Sequence, residues 1–304
     1  MSLSRIVSVF GATGLQGSAV IRALLKDGTF TPRAISRDPT SEAALKLKAS
    51  GVEVVKGDPL NKASLLSALH GSEAVFAVRE LGCFSSLHQG PNELVQGKNM
   101  IDAAKEVSVK FFVFSSLPSI TDLSGGKYKN CLHFDHKVVL DDYLRASGLA
   151  CASLLPGSFL ENYWKCLTQI ATGYDYSVPI ITANTRQAFT WAEREVPAVT
   201  LALLKNYTEP SKNISGNSYP IVNAIMTFAE LASMTGEALG AEMTFTTAPP
   251  LGIPAVDDVY KANGEFGALY NSTPVPNPDL VALGVTLGAI EDFLETEVKP
   301  RFRK

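Results

Sequence analysis

The chain has 304 residues, 46% of them hydrophobic and 19% charged. That length suggests one large domain or two smaller ones, and that composition can bury a sizeable core, which excludes global disorder. With 27 Lys and Arg against 30 Asp and Glu the net charge is −3, so there is no counterion-release drive onto DNA or RNA and a nucleic-acid partner is disfavoured.

Ile6 to Phe10 is a short β-branched apolar run, hence a buried strand. Leu15 to Lys26 carries Ile21, Leu24 and Leu25 on one helical face, and Gly28 stops it. Arg33 to Ser36 reads as a second strand, Glu42 to Ala49 as a helix closed by Gly51, and Val52 to Val55 as a third strand ending at Gly57-Asp58-Pro59. Asn61 caps a helix carrying Leu65, Leu66 and Leu69. A fourth strand at Ala74 to Val78, a helix from Glu93 to Val107 and a fifth strand from Phe111 to Ser115 follow. A helix from His133 to Ser147 and a sixth strand from Ala150 to Leu155 complete the series. This alternation predicts a Rossmann-type α/β fold, a doubly wound parallel sheet with helical crossovers.

After Pro156 the rhythm changes. Residues 157–185 mix aromatics, Gly and Asn without βα alternation. A helix returns at 193–205, and 219–239 reads as a strand and then a helix beginning near Thr227. The 240–304 stretch is proline-rich. The expected division is a nucleotide-binding domain of residues 1–156 completed by 186–239. The remainder, 157–185 and 240–304, would form a smaller discontinuous region over the carboxyl edge of the sheet.

No apolar window reaches the roughly 18 residues of a membrane span, and the first residues do not resemble a secretory signal. A soluble cytoplasmic protein without a membrane partner is expected, with nuclear entry left open if it is regulatory. Cys83, Cys131, Cys151 and Cys166 have no CxxC spacing and read as thiols. The sequons at Asn206, Asn213 and Asn271 are then chance matches, and the terminal KPRFRK reads as a solvated end. His133 and His136 lack a third ligand partner in sequence, so no metal is expected.

The strongest motif is Gly11-Ala12-Thr13-Gly14-Leu15-Gln16-Gly17, between the first strand and the first helix. Gly11 permits a sharp turn, Gly14 lets backbone amides approach a pyrophosphate, and Gly17 lets the helix pack close to the sheet. The helix N-terminus offers N–H groups and partial positive charge to the anion. At the end of the second strand, Ser36-Arg37-Asp38 stands where a free ribose 2′-OH would call for Asp or Glu. Arg37 suits a 2′-phosphate, which favours NADP(H) over NAD(H), unless it simply pairs with Asp38. Asp58 either accepts from an adenine amino group or closes the turn before Pro59.

GATGLQG at 11–17, SRDP at 36–39, KGDP at 56–59 and DAAKEV at 102–107 resemble the NmrA-like family. FFVFSSL at 111–117, HFDHK at 133–137, YLRASG at 143–148 and LLPGSFLEN at 154–162 extend the resemblance, which covers at least residues 5 to 240. That family belongs to the atypical extended short-chain dehydrogenase/reductases. Its HSCARG-type NADPH-sensing subgroup looks most similar, beside isoflavone- and quinone-reductase-like enzymes. The resemblance implies NADP contacts from Gly11, Thr13, Gly14, Leu15, Gln16, Gly17, Ser36, Arg37 and Asp58. It also implies contacts from Lys137, from Phe159 to Asn162, and from Val78, where the backbone passes the cofactor ribose. Arg79 departs from the family's usual Thr.

None of the nine tyrosines has a Lys four residues on, the pair that ordinary short-chain dehydrogenases use. Lys137 has His133 at i−4 instead. Either His133 replaces the Tyr as proton donor, or Lys137 holds the nicotinamide ribose with no side-chain acid beside it. Ser115 or Ser116 could orient a substrate carbonyl, or serve only the turn. Phe159, Tyr163, Trp164, Tyr174 and Tyr176 are aromatic candidates for a pocket, although such residues more often build core. Two functions follow: an NADPH-dependent reductase of a small aromatic, quinone or carbonyl compound, or a non-catalytic NADP(H) sensor acting on a protein partner. The oligomeric state is open.

Overall fold

A computed structural model describes residues 5–78, 90–267, 269–270 and 272–302. Arg79, Cys83, Asn271 and the last two residues of KPRFRK lie outside the described residues.

The first half alternates as its periodicity requires. Strands β1 (Ile6–Val9), β2 (Thr31–Ser36), β3 (Glu53–Lys56), β4 (Ala74–Ala77), β5 (Phe111–Ser115) and β6 (Cys151–Pro156) are separated by helices. These are α1 (Leu15–Asp27), α2 (Glu42–Ala49), α3 (Lys62–Leu69), α4 (Gly90–Glu106), the single turn α5 (Ile120–Leu123) and α6 (Leu132–Ala146). Ser41, Asn61 and Ser119 cap α2, α3 and α5 with side-chain oxygens, which satisfies amides that helix geometry leaves open. After β6 come β7 (Ser158–Phe159), a 3-10 turn (Leu160–Lys165), β8 (Leu167–Ile170), β9 (Gly173–Pro179), β10 (Arg186–Thr190) and α7 (Ala192–Asn206). Then follow β11 (Asn217–Ile221), β12 (Ala224–Thr227), α8 (Phe228–Leu239), β13 (Glu242–Ala248), α9 (Pro254–Phe266), α10 (Pro278–Ala282), α11 (Ile290–Phe293) and α12 (Lys299–Phe302).

Seven strands form one parallel sheet in the order β11-β6-β5-β4-β1-β2-β3. The order reverses between β1 and β4, so a crevice opens at their carboxyl ends, where this architecture takes its ligands. Val20, Ile21 and Leu24 of α1 and Val196, Val199 and Leu203 of α7 bury one face of the sheet. Leu65 and Leu69 of α3, Ile101 and Ala104 of α4, and Leu140 and Leu144 of α6 bury the other. The doubly wound fold read from the sequence is the one observed.

The stretch without βα rhythm is also ordered. β7 pairs parallel with β10, and β10 antiparallel with β12. β8 and β9 form a hairpin, and β13 adds to β9 in parallel, Glu242 facing Gly173 and Ala248 facing Pro179. A third, aromatic-rich core lies here, with Tyr163, Tyr174, Tyr176, Phe189, Trp191, Phe228 and Phe293 all buried. The Tyr163 and Tyr176 rings sit 4.3 Å apart, and Trp164 stacks on Phe293 at 5.8 Å. Of the aromatic candidates, Tyr163, Tyr174 and Tyr176 are core, Trp164 packs against them, and Phe159 lies apart against the main core.

Candidate functional site

The glycine turn is built by exclusion of side chains. Gly11 has φ +64°, the left-handed region, and a Cβ there would lie 2.8 Å from Val78 Cγ1. A Cβ on Gly17 would lie 2.2 Å from the Gly11 carbonyl oxygen, so α1 meets the turn with no space for a methyl group. The Gly14 amide donates to the Gly11 oxygen at 2.9 Å. Gly14 then caps α1 from an extended conformation with no side-chain bond. No acidic side chain occupies the first turn of α1, so nothing there competes with an incoming anion for the helix dipole. Thr13 lies exposed in the turn and Leu15 is half-buried. Val78, 4% exposed, forms the wall beside Gly11.

On the neighbouring strand, the end of β2 separates two possibilities for Arg37. The Asp38 carboxylate accepts from the Thr40 amide at 2.9 Å and from its hydroxyl at 2.5 Å. Ser36 Oγ donates to the Asp38 carbonyl at 2.9 Å. Asp38 is thus engaged in its own turn, and its carboxyl is held below the usual range by the Thr40 hydroxyl and amide. Arg37 is exposed and forms no ion pair with any described residue. Asp58 closes its turn, Oδ1 accepting from the Leu60 amide at 3.0 Å.

The third group of residues surrounds the head of α6. Lys137 is 5% exposed, with Nζ 5.8 Å from the centroid of the Phe114 ring on β5. Ser116 Oγ donates to the Lys137 carbonyl at 3.4 Å, and Ser115 Oγ donates to Gln16 Oε1 at 2.7 Å. Both serines are buried, so in this structure they join β5 to α6 and to α1. His133, one turn before Lys137, has Nδ1 buried without a partner. Burial first, and the Lys137 charge second, pull its pKa down to about 4. The side chain is therefore neutral at pH 7, and the imidazolium that a near-neutral proton donor requires is not formed there. His136, on the next turn, reaches Glu93 Oε2 of α4 at 3.3 Å. Glu93 is 2% exposed and carries no sequence signal that would have singled it out.

Phe159 is half-buried against the main core, while Asn162 is exposed and accepts from Lys165 Nζ at 2.8 Å. Between them, Glu161 caps α7, accepting from the amides of Ala192 at 3.2 Å and Glu193 at 2.7 Å. Cys131 is fully buried, and burial pushes its thiol up to about 12, which makes it chemically inert at neutral pH. Among the described residues no three His, Cys, Asp or Glu side chains gather to hold a metal, and no helix is long and apolar enough to cross a membrane.

Comparison with known proteins agrees with this architecture. The family model described as NmrA-like family matches residues 4–263. The oxidoreductase FrzB of Cladobotryum sp is 36% identical over 163 residues, which cover 52% of this chain and 48% of that protein. The chain thus aligns with about half the length of that relative. The oxidoreductase hkm9 of Aspergillus hancockii is 28% identical over 275 residues, covering 84% of this chain and 80% of that one. Among solved structures, the negative transcriptional regulator NmrA superposes with a TM-score of 0.79 at 17% identity, covering 99% of this chain and 97% of that chain. The NADPH-dependent quinone oxidoreductase QOR2 of Escherichia coli, complexed with NADPH, superposes with a TM-score of 0.69 at 21% identity, covering 95% and 98%.

Proposed function

Because the chain belongs to the NmrA-like family, we propose that it binds NADP(H) between the Gly11–Gly17 turn and Arg37 and reduces a small aromatic, quinone or carbonyl compound beside Lys137. One observation carries this reading: a turn that excludes any Cβ at Gly11 and Gly17 follows β1, and the neighbouring strand β2 ends at an exposed Arg37 whose adjacent carboxylate is already engaged. Gly11, Thr13, Gly14, Leu15, Gln16 and Gly17 would hold the pyrophosphate, backed by Val78. Ser36 and Arg37 would take the 2′-phosphate, and Asp58 would face the adenine. Phe159 and Asn162 would border the nicotinamide end. The names of FrzB and hkm9 as oxidoreductases, and of QOR2 as an NADPH-dependent enzyme, point the same way.

Bound NADPH supplies a hydride in such a site. The buried Lys137 would hold the ribose through its hydroxyls. The neutral His133 orients what lies over the head of α6, and the proton that completes reduction comes from water. Two titrations and one assay test the reading. NADPH binds more tightly than NADH, and Arg37→Ala weakens NADPH alone by about 10- to 100-fold, the value of losing a charged hydrogen-bond partner. Equal affinity for the two cofactors removes Arg37 from its role. NADPH oxidation with quinones, aldehydes and enones is abolished by Lys137→Ala.

A second reading is an NADP(H)-sensing regulator that binds a protein partner. The absence of a Tyr four residues before Lys137 favours it, as does the likeness to the regulator NmrA. Tight NADP(H) binding without turnover over a wide panel selects it.

A further inference from the structure

The small sheet β8-β9-β13 ends one strand short of covering α8. β9 lies on one side of β13, and among the described residues no strand lies on the other. Alternate residues of a strand turn their backbone N–H and C=O groups to opposite edges. The Ala248 carbonyl accepts from the Ile180 amide at 2.9 Å, on the β9 side. By that alternation Met243, Phe245 and Thr247 present their backbone groups to the open edge. β13 reads EMTFTTA and carries neither Pro nor Lys, the residues that commonly guard such an edge. At this edge a groove of about 670 Å³ opens between β13 and α8. Ala229, Ala232, Ser233 and Gly236 line it from α8, spaced three and four residues apart on one helical face, and Met243 and Phe245 line it from β13. The charged side chains of the groove are Glu237 and Glu242, both acidic. They lie at the end where α8 stops at Gly240 and its last carbonyls carry partial negative charge.

We propose that this groove takes an extended segment of a partner protein as an added strand beside β13, with small apolar side chains over α8 and a Lys or Arg beside Glu237 and Glu242. Strand addition of this kind draws affinity from main-chain hydrogen bonds and selectivity from alternate side chains. The outward groups of Met243, Phe245 and Thr247 span five residues, roughly 16 Å of strand, which matches a short peptide. The α8 side chains along the groove, no larger than Ser before Glu237, leave space for Val or Thr above them. The two carboxylates and the helix terminus select a cation at one end and so fix the direction in which the segment lies. A second copy of this chain is the poorer occupant, because its own open edge brings Glu242 and no cation to those carboxylates. α8 and β13 border the aromatic core rather than the glycine turn, so the proposal holds for either reading of the nucleotide site.

The test is fluorescence anisotropy of the full chain with two dye-labelled peptides, Lys-Thr-Val-Thr-Val-Thr and its reversed sequence, one for each strand direction. One of the two binds with a Kd below about 100 μM, and Glu in place of its Lys weakens binding by about tenfold or more. Glu237→Lys combined with Glu242→Lys reverses that preference. Ser233→Trp, an exposed position on the groove, abolishes binding and leaves NADPH affinity and Tm unchanged. N-methylation of one alternate set of peptide amides abolishes binding while the other set tolerates it, a pattern that surface charge alone would not produce. Absence of binding in both directions, equal affinity for the Lys and Glu peptides, or indifference to N-methylation overturns the proposal. A dimer in sedimentation that Ser233→Trp dissociates assigns the groove to a second copy and also overturns it.

Discussion

Gly17 has no room for a side chain, since its missing Cβ would stand 2.2 Å from the Gly11 oxygen. Gly17→Ala therefore pushes α1 off the turn. It costs about 3 kcal/mol in urea denaturation, the upper end for overpacking, and eliminates NADPH binding by titration. His133 gives a pH signature. Its folded pKa of about 4 lies below the ordinary 6.5, so the unfolded chain binds the proton more readily. Stability from this group is present above pH 6.5 and is lost as pH falls toward 4, by about 3 kcal/mol in total. Unfolding free energies measured between pH 4 and 7 fall more steeply for the wild type than for His133→Gln. The glycine positions were legible because strand, turn and helix surround them in sequence. Glu93 was not, since one polar residue on a helix has no periodicity, and only the fold reveals that its surroundings are dry.

Helix α7 illustrates what an element takes from elsewhere in the chain. Its N-cap, Trp191, offers no side-chain acceptor, and the Glu161 carboxylate arrives from the 3-10 turn to receive the first amides. Glu161→Ala leaves those amides unpaired and lowers stability by about 2 kcal/mol, read by chemical denaturation. The helix itself was readable from Val199, Leu203 and Leu204, whereas its cap, 30 residues upstream, was not. The same contrast separates the sheets. Six strands of the main sheet follow from apolar runs between helical patterns. β9 and β13 pair in parallel across more than sixty residues of chain, and no local pattern encodes a partner that distant. Their aromatics face inward against Phe228 and Phe293, which is why that stretch reads as a possible pocket when taken alone.

For the molecule as a whole, a ligand that selects the folded state raises its stability by mass action. NADPH at 100 times its Kd adds about 2.7 kcal/mol, and NADH at the same concentration adds less; the shift in Tm in a thermal melt measures both. The main sheet is completed by residue 221, where β11 closes its edge. The aromatic core is not, because it needs Phe228 and Leu231 from α8 and then Phe293, Leu294 and Val298 from the final turns. During synthesis, a ribosome thus releases nearly every part of the half built on the main sheet while Tyr163, Tyr176 and Trp191 still await their neighbours. Vectorial folding leaves this nascent chain with one nearly finished half and one greasy, unfinished flank until the residues around Phe293 and Val298 emerge, the interval in which its aromatics are most exposed to aggregation.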